Sequence, residues 1–159
     1  MFLQLRIDQR LIHGQVTQGW AKVLELRWII VLSKALRQNP VAQKIMGLGV
    51  PEGLQVGFLT PEELANRWPE WEGEDCNTLI IADDLMEVLA LWQAHGSLPE
   101  VILGNIHGEG NCRTLAPTVY CTEDEIQVIK TLWQNRVTIR VCSGVGDVPQ
   151  ELSPVTWQS

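Results

Sequence analysis

The chain has 159 residues, of which 45% are hydrophobic, and it carries a formal net charge of −7 at pH 7. This length predicts a single domain over residues 1–159, and the acidic balance argues against non-specific nucleic-acid binding. Arg6 interrupts the short apolar start, so we expect no secretory signal. The longest aliphatic run, residues 28–32, is too short to cross a bilayer. We therefore expect a cytoplasmic protein.

The turn after the first predicted strand, residues 2–7, is the first stretch with chemical character. Arg6, Asp8, Arg10 and His13 fall within eight positions, and a helical pattern follows from about residue 12 to residue 24. A helix N-terminus offers free N–H groups and the positive end of the helix dipole, which together favour an anion. Two arginines beside an imidazole therefore predict a phosphate or phosphoryl site. The alternative for His13 is a partly buried helix cap.

Strands and helices alternate along the rest of the chain. Predicted strands cover residues 27–32, 54–59, 79–82, 101–103, 119–120 and 137–141, and capping residues begin helices near residues 39, 60, 84 and 122. Residues 68–77 are polar and acidic, which predicts a surface loop. The tail from residue 143 is rich in Gly, Pro and Ser, which predicts irregular structure. The alternation predicts an α/β fold with a mostly parallel, twisted sheet and helices on both faces.

Ligands of such sheets bind at the carboxyl ends of the strands. Four predicted loops share that edge, and they cover residues 8–13, 33–34, 82–83 and 104–110. Asp8 is expected to orient either His13 or Arg10. Arg10 is the first choice for contacting a phosphoryl group, whereas Arg6 either assists it or forms a structural ion pair. Lys34 is expected to add positive charge near the site.

The loop predicted at residues 104–111 holds three glycines, two asparagines and His107 directly after a strand. Glycines there would let backbone amides approach a phosphoryl group or a partner, and a plain wide turn is the alternative. His107 is expected to serve a partner or the structure rather than to be a second phosphorylation site. Asp83 and Asp84 are expected to cap a helix, and no cluster has metal-ligand spacing, so we predict neither a metal nor another cofactor.

Four cysteines and seven tryptophans remain. No C-x-x-C pair occurs, so we expect reduced, largely buried thiols rather than a zinc site. Trp68, Trp71 and Trp92 lie near predicted element ends. They are expected to pack in the core or at its rim, with a partner-binding or self-associating aromatic patch, and hence a homo-oligomer, as the alternative.

The run RIDQRLIHGQV, residues 6–16, resembles the signature of IIB components of the bacterial phosphotransferase system (PTS), mannose/fructose/sorbose family. A looser resemblance extends to about Pro149. It implies a seven-stranded, mostly parallel sheet with the phosphorylated histidine, here His13, on the loop after the first strand.

The resemblance also implies a reaction and its partners. In that family the histidine matching His13 accepts a phosphoryl group at its δ1 nitrogen from the IIA partner. It then passes the group to a sugar held by the membrane partners IIC and IID, which recruit the IIB protein to the inner face of the membrane. The chain departs from the family pattern at Lys34 and at Asn111, which replaces a basic residue. These changes bear on the sugar and on partner identity.

Three functions are therefore weighed. The first is an active IIB phosphocarrier, the second a regulatory phosphocarrier without a permease, and the third a non-covalent binding module for a phosphorylated metabolite. The predicted chemical residues are His13, Arg10, Asp8 and Arg6. The predicted phosphoryl or partner residues are Gly14, Gln15, Ser33, Lys34, Gly104, Asn105, His107 and Gly108.

Overall fold

Uninterrupted runs of β-branched and aliphatic residues form the centre of the sheet, as expected for parallel strands covered on both faces. A computed structural model describes residues 2–72 and 77–158 and confirms the predicted α/β fold. Its strands are β1 (Phe2–Asp8), β2 (Trp28–Leu32), β3 (Gln55–Leu59), β4 (Asn77–Ala82), β5 (Val101–His107), β6 (Arg113–Ala116), β7 (Val119–Cys121), β8 (Ile139–Val141) and β9 (Gln150–Glu151).

The sheet has the order β3-β2-β4-β1-β5-β7-β6, with β8 beside β5 and β9 beside β8. All pairs are parallel except β6 with β7 and β8 with β9. The described residues thus contain nine strands, so the expected number of seven was wrong. The two additional strands are short antiparallel partners whose sequences carry too little periodicity to predict a strand.

Helices follow the strands on both faces. They are a π-helical segment (Gln15–Trp20) continued by α1 (Ala21–Val23), α2 (Lys34–Arg37), α3 (Pro40–Gly47), α4 (Pro61–Asn66), a 3₁₀ turn (Trp68–Glu70), α5 (Leu85–His95), α6 (Glu123–Gln134) and α7 (Pro154–Gln158).

The four predicted helix N-caps are confirmed. The Asn39, Thr60, Asp84 and Thr122 side chains each accept a hydrogen bond from a first-turn N–H of α3, α4, α5 and α6 respectively. The short helix α2 was not predicted, and Ser33 caps it.

Two cores lie on opposite faces of the sheet because successive strand residues point in opposite directions. Leu5 and Ile7 of β1 face the core under α4, α5 and α6. The intervening Arg6 and Asp8 therefore face the other side, where Val16 and Trp20 of the π-helical segment pack. Strand alternation thus carries two charged residues into a buried layer beside the turn that holds His13.

The tail is irregular over residues 143–149, as predicted, but residues 150–158 are more regular than expected. Strand β9 pairs with β8, and α7 follows it. Leu152 and Trp157 are buried, and the Arg113 guanidinium donates to the Trp157 carbonyl. The burial of Leu152 and Trp157 holds this segment against the domain, and composition alone does not reveal such a pattern.

The segment predicted as a polar surface loop is also more ordered than expected. Trp68 and Trp71 are buried, and Trp71 packs edge-on against Trp28. The Trp68 indole N–H donates to Glu72, so the acidic neighbours satisfy a buried tryptophan. The expectation of core packing for these tryptophans is confirmed, whereas that of a surface loop was wrong there. Residues 73–76, and with them Cys76, lie outside the described residues.

Candidate functional site

Asp8 is the centre of the site. Its side chain is fully buried, and it lies at the carboxyl end of β1. Arg10 donates two side-chain hydrogen bonds to it, from Nε to Oδ1 at 2.9 Å and from Nη2 to Oδ2 at 2.8 Å. Arg6 Nη2 approaches Oδ2 at 3.5 Å, and His13 Nε2 approaches it at 3.4 Å. The alternatives for Asp8 are therefore not exclusive, since one carboxylate contacts both Arg10 and His13.

The hydrogen bonds of His13 define its tautomer. Nδ1 accepts from the backbone N–H of Gln15 at 3.2 Å, so this nitrogen carries no proton. The proton of a neutral ring is then on Nε2, which is shielded from solvent and faces Asp8 through an electrostatic contact rather than a well-aligned hydrogen bond. Of the two ring nitrogens, Nδ1 is therefore the one with an unprotonated lone pair, and that lone pair accepts the Gln15 N–H.

The charges around the ring favour the neutral imidazole. Burial lowers the pKa of His13 below its ordinary value, and the attraction of Asp8, which acts in the opposite direction, does not outweigh burial and Arg10 together. Burial alone would raise the pKa of Asp8, but the hydrogen bonds from Arg10 lower it, so the carboxylate is ionised. A neutral imidazole thus lies beside an ionised carboxylate and an arginine.

Arg6 is buried and does not reach into solvent. Its Nη1 donates to the Cys142 carbonyl at 2.9 Å and its Nη2 to the Ser143 carbonyl at 3.1 Å, while its guanidinium lies over the Trp20 ring at 5.0 Å. Burial lowers the pKa of Arg6, and the Asp8 charge opposes that effect. Of the two alternatives for Arg6, the structure favours the structural ion pair.

Gly104 explains how the Arg6 side chain fits. Between β1 and β5 the register changes from Ile7 beside Leu103 to Asp8 beside Asn105, so Gly104 is an extra residue bulged out of the pairing. A Cβ on Gly104 would lie only 2.3 Å from Arg6 Nη2. The glycine is therefore needed to leave space for a guanidinium.

The chain between β1 and the helix is tightly folded. Leu11 has a left-handed backbone, with φ of 55°, and its side chain is buried. His13 lies before the helix rather than within its first turn, and its carbonyl accepts from the N–H groups of Val16 and Thr17. Helical structure thus begins at residue 14, within two residues of the predicted start near residue 12. The π-helical turn that follows is of a kind often found at functional sites.

A small depression of about 230 Å³ opens beside Arg10, and we call it the Arg10 pocket. Arg10 and Gln15 form one side and are joined by a 3.1 Å hydrogen bond from Arg10 Nη2 to Gln15 Oε1. Its lining comprises Arg10, Gln15, Gly104, Asn105, Thr118, Ser143, Gly144 and Asp147. The predicted residues Gly104, Asn105 and Gln15 therefore share one pocket with Arg10, next to His13. Gly14 lies between His13 and Gln15, with open space around its Cα.

The other predicted loop residues line a different cavity. Ser33, His107 and Gly108 border a larger groove of about 900 Å³, which we call the acidic groove because six carboxylates line it, those of Asp83, Asp84, Glu87, Glu109, Asp124 and Glu125. The Lys34 ammonium pairs with Glu62 at 3.3 Å, and its backbone N–H donates to Glu87. The described contacts of Lys34 are thus with acidic residues of α4 and α5. Lys34 itself follows β2, which lies two strands away from β1 in the sheet.

The first half of the glycine-rich loop expected after residue 103 is strand, so the prediction was wrong for residues 104–107, whereas residues 108–111 form a loop. Strand β5 continues to His107, because Ile106 and His107 pair with Val119 and Tyr120 of β7. His107 is exposed, lies against the Tyr120 ring, and places Nε2 2.9 Å from Asn105 Oδ1. Its contacts give it a structural role, in holding Asn105.

Sequence reasoning missed Thr118, Ser143 and Asp147. These residues reach the Arg10 pocket only through the pairing of β5, β7 and β8, and nothing in their local sequence marks them. Within residues 2–72 and 77–158, no group of His, Cys, Asp or Glu side chains forms a cluster suited to a metal ion. The Cys121 thiol is inert at neutral pH, because burial raises its pKa to about 12.

Comparison with known proteins places this geometry in a family. The model of the PTS system sorbose subfamily IIB component matches residues 2–157. The chain belongs to this family. It is similar to the N-acetylgalactosamine-specific phosphotransferase enzyme IIB component 1 of Escherichia coli, with 23% identity over 94% of this chain and 95% of the relative. The fructose-specific EIIB component of Bacillus subtilis is 24% identical over 86% of this chain and 83% of its own length.

Solved structures of IIB proteins have the same fold. A PTS-dependent N-acetyl-galactosamine IIB component from Streptococcus pyogenes superposes with a TM-score of 0.86, at 21% identity, over 99% of this chain and 98% of its own. The IIBSor domain of the sorbose permease from Klebsiella pneumoniae gives 0.81, at 22% identity, over 94% and 92%. This family member is thus a phosphotransferase-system component that works with other components in sugar transport. No described helix is both long and apolar enough to cross a membrane.

Proposed function

We propose that this IIB component carries a phosphoryl group on Nδ1 of His13, between a phosphohistidine on a IIA partner and a sugar held by the membrane partners IIC and IID. The observation that supports this proposal is the orientation of the ring. Nδ1 is unprotonated beside the Gln15 N–H, and Nε2 faces the buried Asp8. Carboxylate orientation of a neutral imidazole is the arrangement expected of a nitrogen nucleophile.

The first transfer uses the lone pair of Nδ1, which is released when its hydrogen bond from the Gln15 N–H breaks as the donor approaches. It attacks the phosphorus of the donor phosphohistidine, the donor P–N bond breaks, and its electron pair returns to the donor imidazole. His13 becomes a phosphoimidazolium that keeps its proton on Nε2, where Asp8 stabilises the new positive charge. Arg10, whose guanidinium is 43% exposed, is placed to compensate the charge on the phosphoryl oxygens.

The second transfer reverses the bond changes. A sugar hydroxyl oxygen attacks phosphorus, the P–Nδ1 bond breaks, and its electron pair returns to the neutral ring, while the hydroxyl proton passes to a base of the membrane complex or to water. The relatives are named for different sugars, fructose and N-acetylgalactosamine among them. We therefore propose that the membrane partners choose the sugar and recruit the chain to the inner membrane face.

Labelling with a phosphorylated IIA protein tests this function. The expected result is acid-labile, base-stable phosphate on the wild-type chain and none on His13→Ala, with His95→Ala, whose ring contacts Trp68 and Ser97 away from the site, as the control that labels normally. Equal labelling of the wild type and His13→Ala would place the phosphate on another residue, and no labelling of either would leave the non-covalent binding module; both outcomes contradict the proposal. Sugar phosphorylation by membranes containing IIC and IID then separates a transporting carrier from a regulatory one.

A further inference from the structure

We propose that the Ser143 hydroxyl is a phosphoryl-binding group in the Arg10 pocket, which it lines together with Arg10 and Gln15, the neighbours of His13. This inference rests on the proposed function, since it assigns a further group that binds the phosphoryl on His13. It enlarges the site from one contiguous motif to two segments that are distant in sequence.

The Arg10 pocket is lined by hydrogen-bond donors. Arg10 contributes a guanidinium, and the amide groups of Gln15 and Asn105 each have their oxygen engaged, by Arg10 and by His107 respectively. Their NH₂ groups remain as donors, which suits an anion. One carboxylate also lines the pocket, that of Asp147, and its Oδ2 accepts from the Gly144 N–H at 2.7 Å.

The hydroxyl proton of Ser143 can be assigned from its neighbours. Thr118 Oγ1 donates to the Gly104 carbonyl at 2.7 Å, so it has no proton left for Ser143. The 2.8 Å contact between the two hydroxyls is then a bond in which Ser143 donates and Thr118 accepts. A serine hydroxyl rotates freely about one bond, and the charged oxygen of a phosphoryl group is a stronger acceptor than a neutral hydroxyl. Ser143 can thus turn its hydroxyl proton from Thr118 to a phosphoryl oxygen in the pocket.

Three contacts fix the wall that carries Ser143. Buried Arg6 binds the carbonyls of Cys142 and Ser143, so the guanidinium that contacts Asp8 also holds the backbone of Ser143. Val145 packs against the helix that follows His13, because a Cβ on Gly19 would lie 2.6 Å from Val145 Cγ2. The turn between Gly144 and Asp147 closes with a backbone bond of 3.1 Å. These contacts fix the position of Ser143 relative to Asp8 and to the helix that follows His13.

The test compares Ser143→Thr with Ser143→Val, two side chains of the same shape that differ in a hydroxyl. The full chain is phosphorylated with phosphoramidate, a small donor that needs no partner protein, and phosphohistidine is followed by ³¹P NMR. A hydrogen bond to a charged group is worth roughly tenfold or more in rate or equilibrium. We expect Ser143→Val to be phosphorylated about tenfold more slowly than Ser143→Thr. Ser153→Ala, in the exposed tail, is the control that matches the wild type.

Two outcomes would overturn the inference, and both are distinct from failure of the proposed function. Equal phosphorylation rates for Ser143→Thr and Ser143→Val, with the label still lost in His13→Ala, would mean that the hydroxyl does not bind the phosphoryl group. A loss in both variants that follows their free energies of unfolding would assign Ser143 to stability alone. Failure of the proposed function would instead appear as an unlabelled wild type or as a labelled His13→Ala.

Discussion

The two cavities at the carboxyl edge of the sheet differ in size and in charge. The acidic groove, at about 900 Å³, is nearly four times as large as the Arg10 pocket, at about 230 Å³. Six carboxylates line the groove, whereas an arginine, two amides and two hydroxyls line the pocket together with one carboxylate, that of Asp147, which accepts from the Gly144 N–H. A dianionic phosphoryl group is repelled by the first lining and attracted by the second. Charge and donor placement, rather than volume, therefore indicate where the chemistry takes place.

The largest expected effect is the difference in phosphorylation rate between a substitution of His13 and substitutions in the acidic groove. His13→Ala abolishes phosphorylation by phosphoramidate, whereas the double variant Glu109→Gln, Asp124→Asn in the acidic groove is phosphorylated within about twofold of the wild-type rate. Both groove residues are exposed, so neutralising them costs little stability. A tenfold or greater change in the double variant would show that the groove takes part in the chemistry, and the comparison would then fail.

Arg10→Gln is expected to slow phosphorylation about a hundredfold, because one preorganised donor to a developing negative charge contributes roughly that factor. Arg10→Lys is expected to recover only part of it, since an ammonium group cannot make the two parallel bonds to Asp8. Initial rates by ³¹P NMR measure both variants. Wild-type rates in Arg10→Gln would remove Arg10 from the site.

Gly104→Ala tests whether the Arg6 guanidinium, which contacts both Asp8 and the Ser143 carbonyl, needs the space that a glycine leaves. The added methyl group collides with the Arg6 guanidinium, and overpacking of this kind costs about 1–3 kcal/mol in the free energy of unfolding. Urea denaturation measures that loss. Gly47→Ala, at the end of α3, is the control, because a Cβ there meets nothing within 4 Å and its φ, like that of Gly104, is not positive. If both variants lose equal stability, Gly104 is not required by Arg6.

A pH titration gives the smallest effect. The pKa of His13 is lowered in the folded chain, so folding favours the neutral ring. This contribution to stability is complete above the unfolded pKa and is lost as the pH falls through the folded pKa. The phosphorylation rate should therefore rise to a plateau at a pH below the ordinary histidine value of about 6.5.

In the Asp8→Asn variant the pKa of His13 should fall further, because the Asp8 carboxylate is the group that raises it. NMR titration of the ring measures both values, and an upward shift would contradict the assigned contact.

The parts of the fold that local sequence controls were predictable. Capping residues such as Thr60 and Thr122 predicted their helices, and the contiguous run from Arg6 to His13 predicted the family. The other half of the site depends on contacts between distant segments. Arg6 and Cys142 are 136 positions apart, and the bulge at Gly104 exists only once β1 and β5 pair. No periodicity or spacing reveals such contacts.

The same physical reason explains the elements that were predicted wrongly. Strand β5 extends through Asn105 and His107 because it pairs with β7, although its glycine and asparagine favour a loop. The tail is ordered because Leu152 and Trp157 find buried positions. In both cases tertiary pairing outweighs local propensity.

The central claim is that Asp8 and the Gln15 N–H orient His13 so that Nδ1 is its reactive nitrogen. Heteronuclear NMR of the ¹⁵N-histidine-labelled chain, phosphorylated with phosphoramidate, measures which ring nitrogen is bonded to phosphorus. The account predicts a P–N coupling to Nδ1 of His13, with a proton retained on Nε2. Coupling to Nε2, or to His107 in place of His13, would contradict it.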